Sequence, residues 1–150
     1  MWRAASTQPS SDSGRPAARG GTDALAFFYG LWAVAALSRA LYQYLVRRPP
    51  DLTPTHISLF VGALYVLIIL GLRRRSPRAW WATLALLAVE LAGVLVVGTI
   101  DVLWRPFPYS SVWSGYGAGY LYMPLILPLG GALYLLRKET RRAYGVLTDV

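Results

Sequence analysis

The chain has 150 residues, 55% of them hydrophobic and 15% charged, with a mean hydropathy of +0.41; soluble domains hold roughly 45–50% apolar residues, so the excess has to face something other than water. A formal net charge of +8 would fit a nucleic-acid binder, but the basic residues flank apolar runs instead of filling one groove-reading element, and no nucleic acid is expected as a partner. Without cysteine and with His56 as the single histidine, disulfides and the usual zinc sites are excluded, and neither a metal nor a cofactor is expected.

Residues 1–23, rich in Ser, Gly, Pro and Ala with Arg3, Arg15 and Arg19, carry no apolar period and read as a disordered tail. Four apolar runs follow, predicted as spanning helices over residues 24–46, 57–72, 79–103 and 112–136. Arg47-Arg48-Pro49-Pro50 ends the first, because proline removes a donor and disfavours helix. The second is short. Arg73-Arg74-Arg75-Ser76-Pro77-Arg78 separates it from the third, which opens on the interfacial pair Trp80-Trp81. The link Trp104 to Tyr109 leads to the fourth, where Pro124 and Pro128 predict a kink. Residues 137–150 form a basic tail suited to anionic headgroups. The expected fold is therefore all-α: a membrane four-helix bundle over residues 24–136.

Basic residues alternate in density between successive links. The N-terminal tail, the Arg73–Arg78 link and the C-terminal tail hold eleven, whereas Arg47, Arg48 and Arg105 are the three of the other links. This asymmetry predicts a multi-pass protein of the plasma membrane with both termini cytoplasmic. The first run is longer than the ~7–15-residue core of a cleaved leader, so it is expected to be retained.

Glu90 is the most informative residue, since a carboxyl at membrane depth is costly unless neutral, paired or facing water. Helical spacing puts Thr83, Glu90, Gly93, Val97 and Asp101 near one inward stripe. Arg39 shares an inward face of the first helix with Trp32, Ala35, Ala36, Tyr42 and Gln43. The expectation is a structural pair between Glu90 and Arg39; the functional alternative is a proton- or substrate-binding carboxylate. Gly115 and Gly119, four apart, are expected to let two helices approach, and with Pro124 and Pro128 they are the candidates for a packing seam or an adjustable cavity wall. The Gly-Tyr-Gly string superficially matches a potassium filter or a phosphate loop, yet neither a pore helix nor a strand precedes it. Asp51, His56 and Ser58 could be drawn as a hydrolase triad, but polar residues beside a helix start are ordinarily caps, and no enzyme is expected.

The segments Leu37 to Gln43, Glu90 to Leu95 and Trp113 to Pro128 carry a resemblance to small four-span membrane proteins of unassigned function from high-GC, actinobacterial-type bacteria. That resemblance implies topology and brings no activity. Small multidrug transporters also pair four short helices with a lone glutamate, but theirs lies in the first helix and Glu90 lies in the third. The leading expectation is a non-enzymatic accessory, assembly or structural subunit that contacts other membrane proteins or its own copies. The alternative is a small oligomeric transporter or lipid- or substrate-binding carrier that uses Glu90.

Overall fold

The computed structural model describes residues 15–106 and 109–147, with side chains from residue 20. All its regular structure is helical. Helix α1 spans Arg15–Tyr42 and passes into a π turn over Gln43–Arg47; α2 spans Thr53–Arg73, α3 Pro77–Trp104, α4 Met123–Leu136 and α5 Lys138–Ala143. The beginning of the tail expected to be disordered, residues 1–14, lies outside the described residues, but residues 15–23 already belong to α1.

Local chemistry explains the boundaries. The π turn closes when Arg48 enters the left-handed region at φ 42° and returns its N–H to the Gln43 carbonyl at 2.8 Å, and two prolines prevent continuation. Asp51 accepts the Thr53 N–H at 2.9 Å to open α2, and Pro54 sits in its first turn, where no donor is wanted. Ser76 caps α3 by accepting the Ala79 N–H at 3.2 Å, again followed by proline. Arg105, left-handed at φ 43°, ends that helix.

Packing follows a ring in which α1 meets α2, α2 meets α3, α3 meets α4 and α4 returns to α1. The α1–α2 seam is the most extensive, because α1 presents Ala26, Ala33, Ala36 and Ala40 at helical spacing and α2 answers with Gly62, whose missing side chain admits Leu37. On α3 the buried stripe is Thr83, Leu87, Glu90, Val94 and Gly98. Gly93, Val97 and Asp101, expected on it, flank it half-buried.

Among the described residues, three helices are long and apolar enough to cross a membrane: Gly20–Arg47, Thr53–Arg73 and Pro77–Trp104. With 21 residues, α2 extends to ~31 Å and is not deficient in length. The fourth run departs from its expectation. Instead of one helix kinked at its prolines, residues Ser114–Tyr120 form a crossing segment of tight turns bent by 94° from α4. Gly115, Tyr116 and Gly117 are all left-handed, as are Leu121 and Tyr122, which no right-handed helix tolerates. Pro124 consequently lies in the first turn of α4, and only Pro128 is inside it.

The C-terminal segment is also ordered against the bundle. The Tyr144 hydroxyl donates to the Leu72 carbonyl at 2.6 Å, and the Arg141 guanidinium lies 5.8 Å from the centre of the Trp80 ring. Burial pushes the Tyr144 phenol up to about 12. Both contacts tie α5 to the Arg73–Arg78 end of the bundle.

Candidate polar site in the bundle interior

Glu90 is enclosed by protein: it is 0% exposed, on the inner stripe of α3. Tyr29 of α1, itself fully buried, donates its hydroxyl to Glu90 Oε2 at 2.8 Å. Tyr65 of α2 packs edge-on against Tyr29, ring centres 5.3 Å apart, and its hydroxyl lies against the same carboxyl without completing a hydrogen bond. Three helices thus converge on one carboxyl group. The other oxygen, Oε1, has no partner.

A layer of indoles and phenols adjoins this group. Trp32 meets Tyr120 edge-on at 5.5 Å, and Trp113 lies against Gly93, one turn along α3 from Glu90. A Cβ at Gly93 would occupy the space of the Trp113 ring, so glycine there is what lets the crossing segment lie close to α3. The indole nitrogens of Trp32 and Trp113 are buried without hydrogen-bond partners, as is the Tyr65 hydroxyl. Each such group costs about 1–3 kcal/mol relative to a satisfied one.

Arg39 is not the partner of Glu90. Its guanidinium donates to the Ser110 carbonyl and lies 5.9 Å from the centre of the Tyr120 ring. The reason is distance along α1: Arg39 is ten residues beyond Tyr29, the residue that does reach Glu90, which is ~15 Å of helix rise and more than its side chain spans. Gly115 and Gly119 form no packing seam either. Gly115 is left-handed at φ 55°, and a Cβ at Gly119 would meet nothing within 4 Å. The close approach falls on Gly117, where a Cβ would come within 2.8 Å of the Pro124 ring, so Pro124 closes a contact where a cavity wall was expected. Pro128 is buried in α4.

Asp51, His56 and Ser58 serve local structure. Asp51 accepts from Thr53, which holds its carboxyl below the usual range; His56 Nε2 lies 3.2 Å from the Tyr44 hydroxyl; Ser58 donates to the Pro54 carbonyl. Among the described residues, no three His, Cys, Asp or Glu side chains gather in a metal-binding arrangement. Among the aromatics of the chain after α3, Tyr109 donates to the Asp51 carbonyl at 2.5 Å and Tyr116 bonds Thr99 at 3.1 Å, while Trp104, the last residue of α3, and Tyr122 are exposed.

The phenolic partners of Glu90 escaped the sequence reading. Their signal was present in part, since Tyr65 stands in the middle of the 57–72 run, where an interfacial role does not explain a hydroxyl, whereas Tyr29 lies nearer the start of the 24–46 run. Comparison of the chain with protein families, curated proteins and solved structures finds no match.

Proposed function

We propose that this chain is an integral membrane protein, crossing the bilayer with α1, α2, α3 and the broken fourth segment, that works as a non-enzymatic subunit beside other membrane proteins. The observation that carries the reading is the use of Glu90 as an internal tie: its carboxyl is enclosed by α1, α2 and α3 and takes a hydrogen bond from Tyr29. Large apolar side chains such as Phe27, Leu31, Val34, Leu67, Val96 and Leu133 face outward and leave the flanks free for lipid or a partner helix. Purification from membranes in a gentle detergent should bring down stoichiometric partners. Recovery of the chain alone, as a monomer, would overturn the subunit reading.

One observation favours a second reading, a small carrier with an intramembrane carboxylate. The free Glu90 oxygen, the Tyr65 hydroxyl and the two indoles put unpartnered polar atoms around the interior face of a broken helix, the arrangement by which discontinuous helices serve binding sites. Under that reading Glu90→Gln abolishes proton-coupled uptake into reconstituted vesicles, with folding intact. Under the subunit reading, Glu90→Gln keeps partner capture, because the amide oxygen still accepts from Tyr29.

A further inference from the structure

At the end of the bundle that carries the Pro49–Pro50 link, a groove separates the last turns of α1 from the first turns of α2. It has a volume of about 300 Å³ and is lined by Leu37, Ala40, Leu41, Tyr44 and Leu59. Its floor is low for a local reason. Ala40 contributes a single buried methyl, and Leu37 is drawn down onto Gly62. Leu41, Tyr44 and Leu59 stand half exposed as its walls.

The groove is apolar along its length, and the chain that leaves its Tyr44 end is basic. Arg47 and Arg48 follow Tyr44 by about one turn at the end of the π turn, and both are exposed. No ion pair among the described residues engages them. The nearest carboxylate in sequence, Asp51, is held by the Thr53 N–H and faces His56. Guanidinium groups present forked donors that match a phosphate, and an apolar channel with two of them in the chain beyond its Tyr44 end matches an amphiphile with an anionic head. The volume stands at the low end for small-molecule pockets, which suits part of one acyl chain.

We infer that this groove is a binding site for an anionic phospholipid, with one acyl chain against Ala40 and Leu59 and the phosphate held by Arg47 and Arg48. The inference rests on the membrane reading above. It is distinct from attraction of headgroups to the basic opposite end, because it requires a shaped apolar wall as well as charge.

The test is thermal unfolding of the detergent-purified chain with added phosphatidylglycerol or with phosphatidylcholine of identical acyl chains. Phosphatidylglycerol should raise the melting temperature more. Arg47→Gln with Arg48→Gln, both exposed and outside the core, should erase that difference, whereas Arg74→Gln with Arg75→Gln at the opposite end should keep it. Leu59→Trp, which fills the groove from a half-exposed wall, should lose the response to either lipid. A lipid preference that survives the Arg47/Arg48 change overturns the proposal. So does a wild-type response in the Leu59 variant, or a Leu59 variant that changes only the oligomer seen by native mass spectrometry, which would give the groove to a second copy. Failure of the membrane reading is separately visible: the chain would then remain in the soluble fraction of lysed cells.

Discussion

Tyr29 and Tyr65 reach the Glu90 carboxyl from adjacent helices, yet only Tyr29 donates to it, and the two hydroxyls therefore differ in energetic weight. Removing a buried donor leaves its acceptor unsatisfied, whereas removing a group that already lacks a partner removes a cost. Tyr29→Phe should destabilise the fold by about 1–3 kcal/mol, read as a lower melting temperature in detergent. Tyr65→Phe should leave the melting temperature unchanged or raise it. Equal losses in both variants would show that the carboxyl uses the two phenols alike. A charge exchange, Arg39→Glu with Glu90→Arg, should rescue neither single variant, since Arg39 is occupied by the Ser110 carbonyl and the Tyr120 ring. Glu90 was legible in the sequence because a carboxyl in an apolar run has to turn inward. Its partner was not. Charge rules nominate the nearest guanidinium, while the residues able to meet a carboxyl are fixed by height along each helix, and at that height α1 carries a phenol.

The crossing segment shows the same limit at the scale of an element. Its glycines were read as a helical small-residue ridge, and Gly119 was counted with Gly115; in the fold Gly117 is the residue under constraint, at φ 82° and against Pro124. Spacing four residues apart implies a shared face only if the segment is a right-handed helix, and five residues at positive φ between 115 and 122 break that premise. Gly117→Ala should cost about 1–3 kcal/mol, the usual scale for a residue held in a disfavoured region, whereas Gly119→Ala should be neutral. The reverse order in a thermal-unfolding comparison would restore the helical ridge. By contrast, the breaks between α1, α2 and α3 were readable, because proline acts locally; the start of α2 at Thr53, beside the Asp51 acceptor, and the Ser76 cap of α3 were not placed. At the other end, α5 depends on the Tyr144 hydroxyl as a donor to Leu72. Its ionisation is raised by burial to about 12 from an ordinary value of 10.0, so the docked segment gains protection that is complete below the unfolded phenol's range and is lost as pH rises toward about 12. Protection of residues 138–146 against hydrogen exchange, taken relative to the intrinsic base-catalysed rate at each pH, should therefore fall in Tyr144→Phe at neutral pH and in the wild type only at alkaline pH.

For the whole molecule, the decisive relation is which end of the bundle receives the chain after α4. A helix of 14 residues rises ~21 Å, short of a ~30 Å hydrocarbon core, so α4 with its bent crossing segment could form either a fourth passage or a loop that enters and leaves on one side. The Tyr144 bond to Leu72 bears on the choice. It fixes the chain beyond α4 beside the last turn of α2, at the end that carries Arg73, Arg74, Arg75 and Arg78, while Arg39 and Tyr109 tie the start of the fourth segment to the Pro49–Pro50 end. The two ends of the fourth segment are thus at opposite ends of the bundle, and the basic residues of α5 join those of the α2–α3 turn on one face. Since the chain has no cysteine, single cysteines report sidedness without background. Arg48→Cys and Ser110→Cys should react with a membrane-impermeant maleimide in intact cells, and Arg75→Cys and Glu139→Cys only after permeabilisation. Reaction of the residue-139 variant in intact cells, with residue 75 protected, would mean that the fourth segment returns to the side it came from. Reaction at 75 and 139 with protection at 48 and 110 would fit four passages in the orientation opposite to the one expected from the distribution of basic residues.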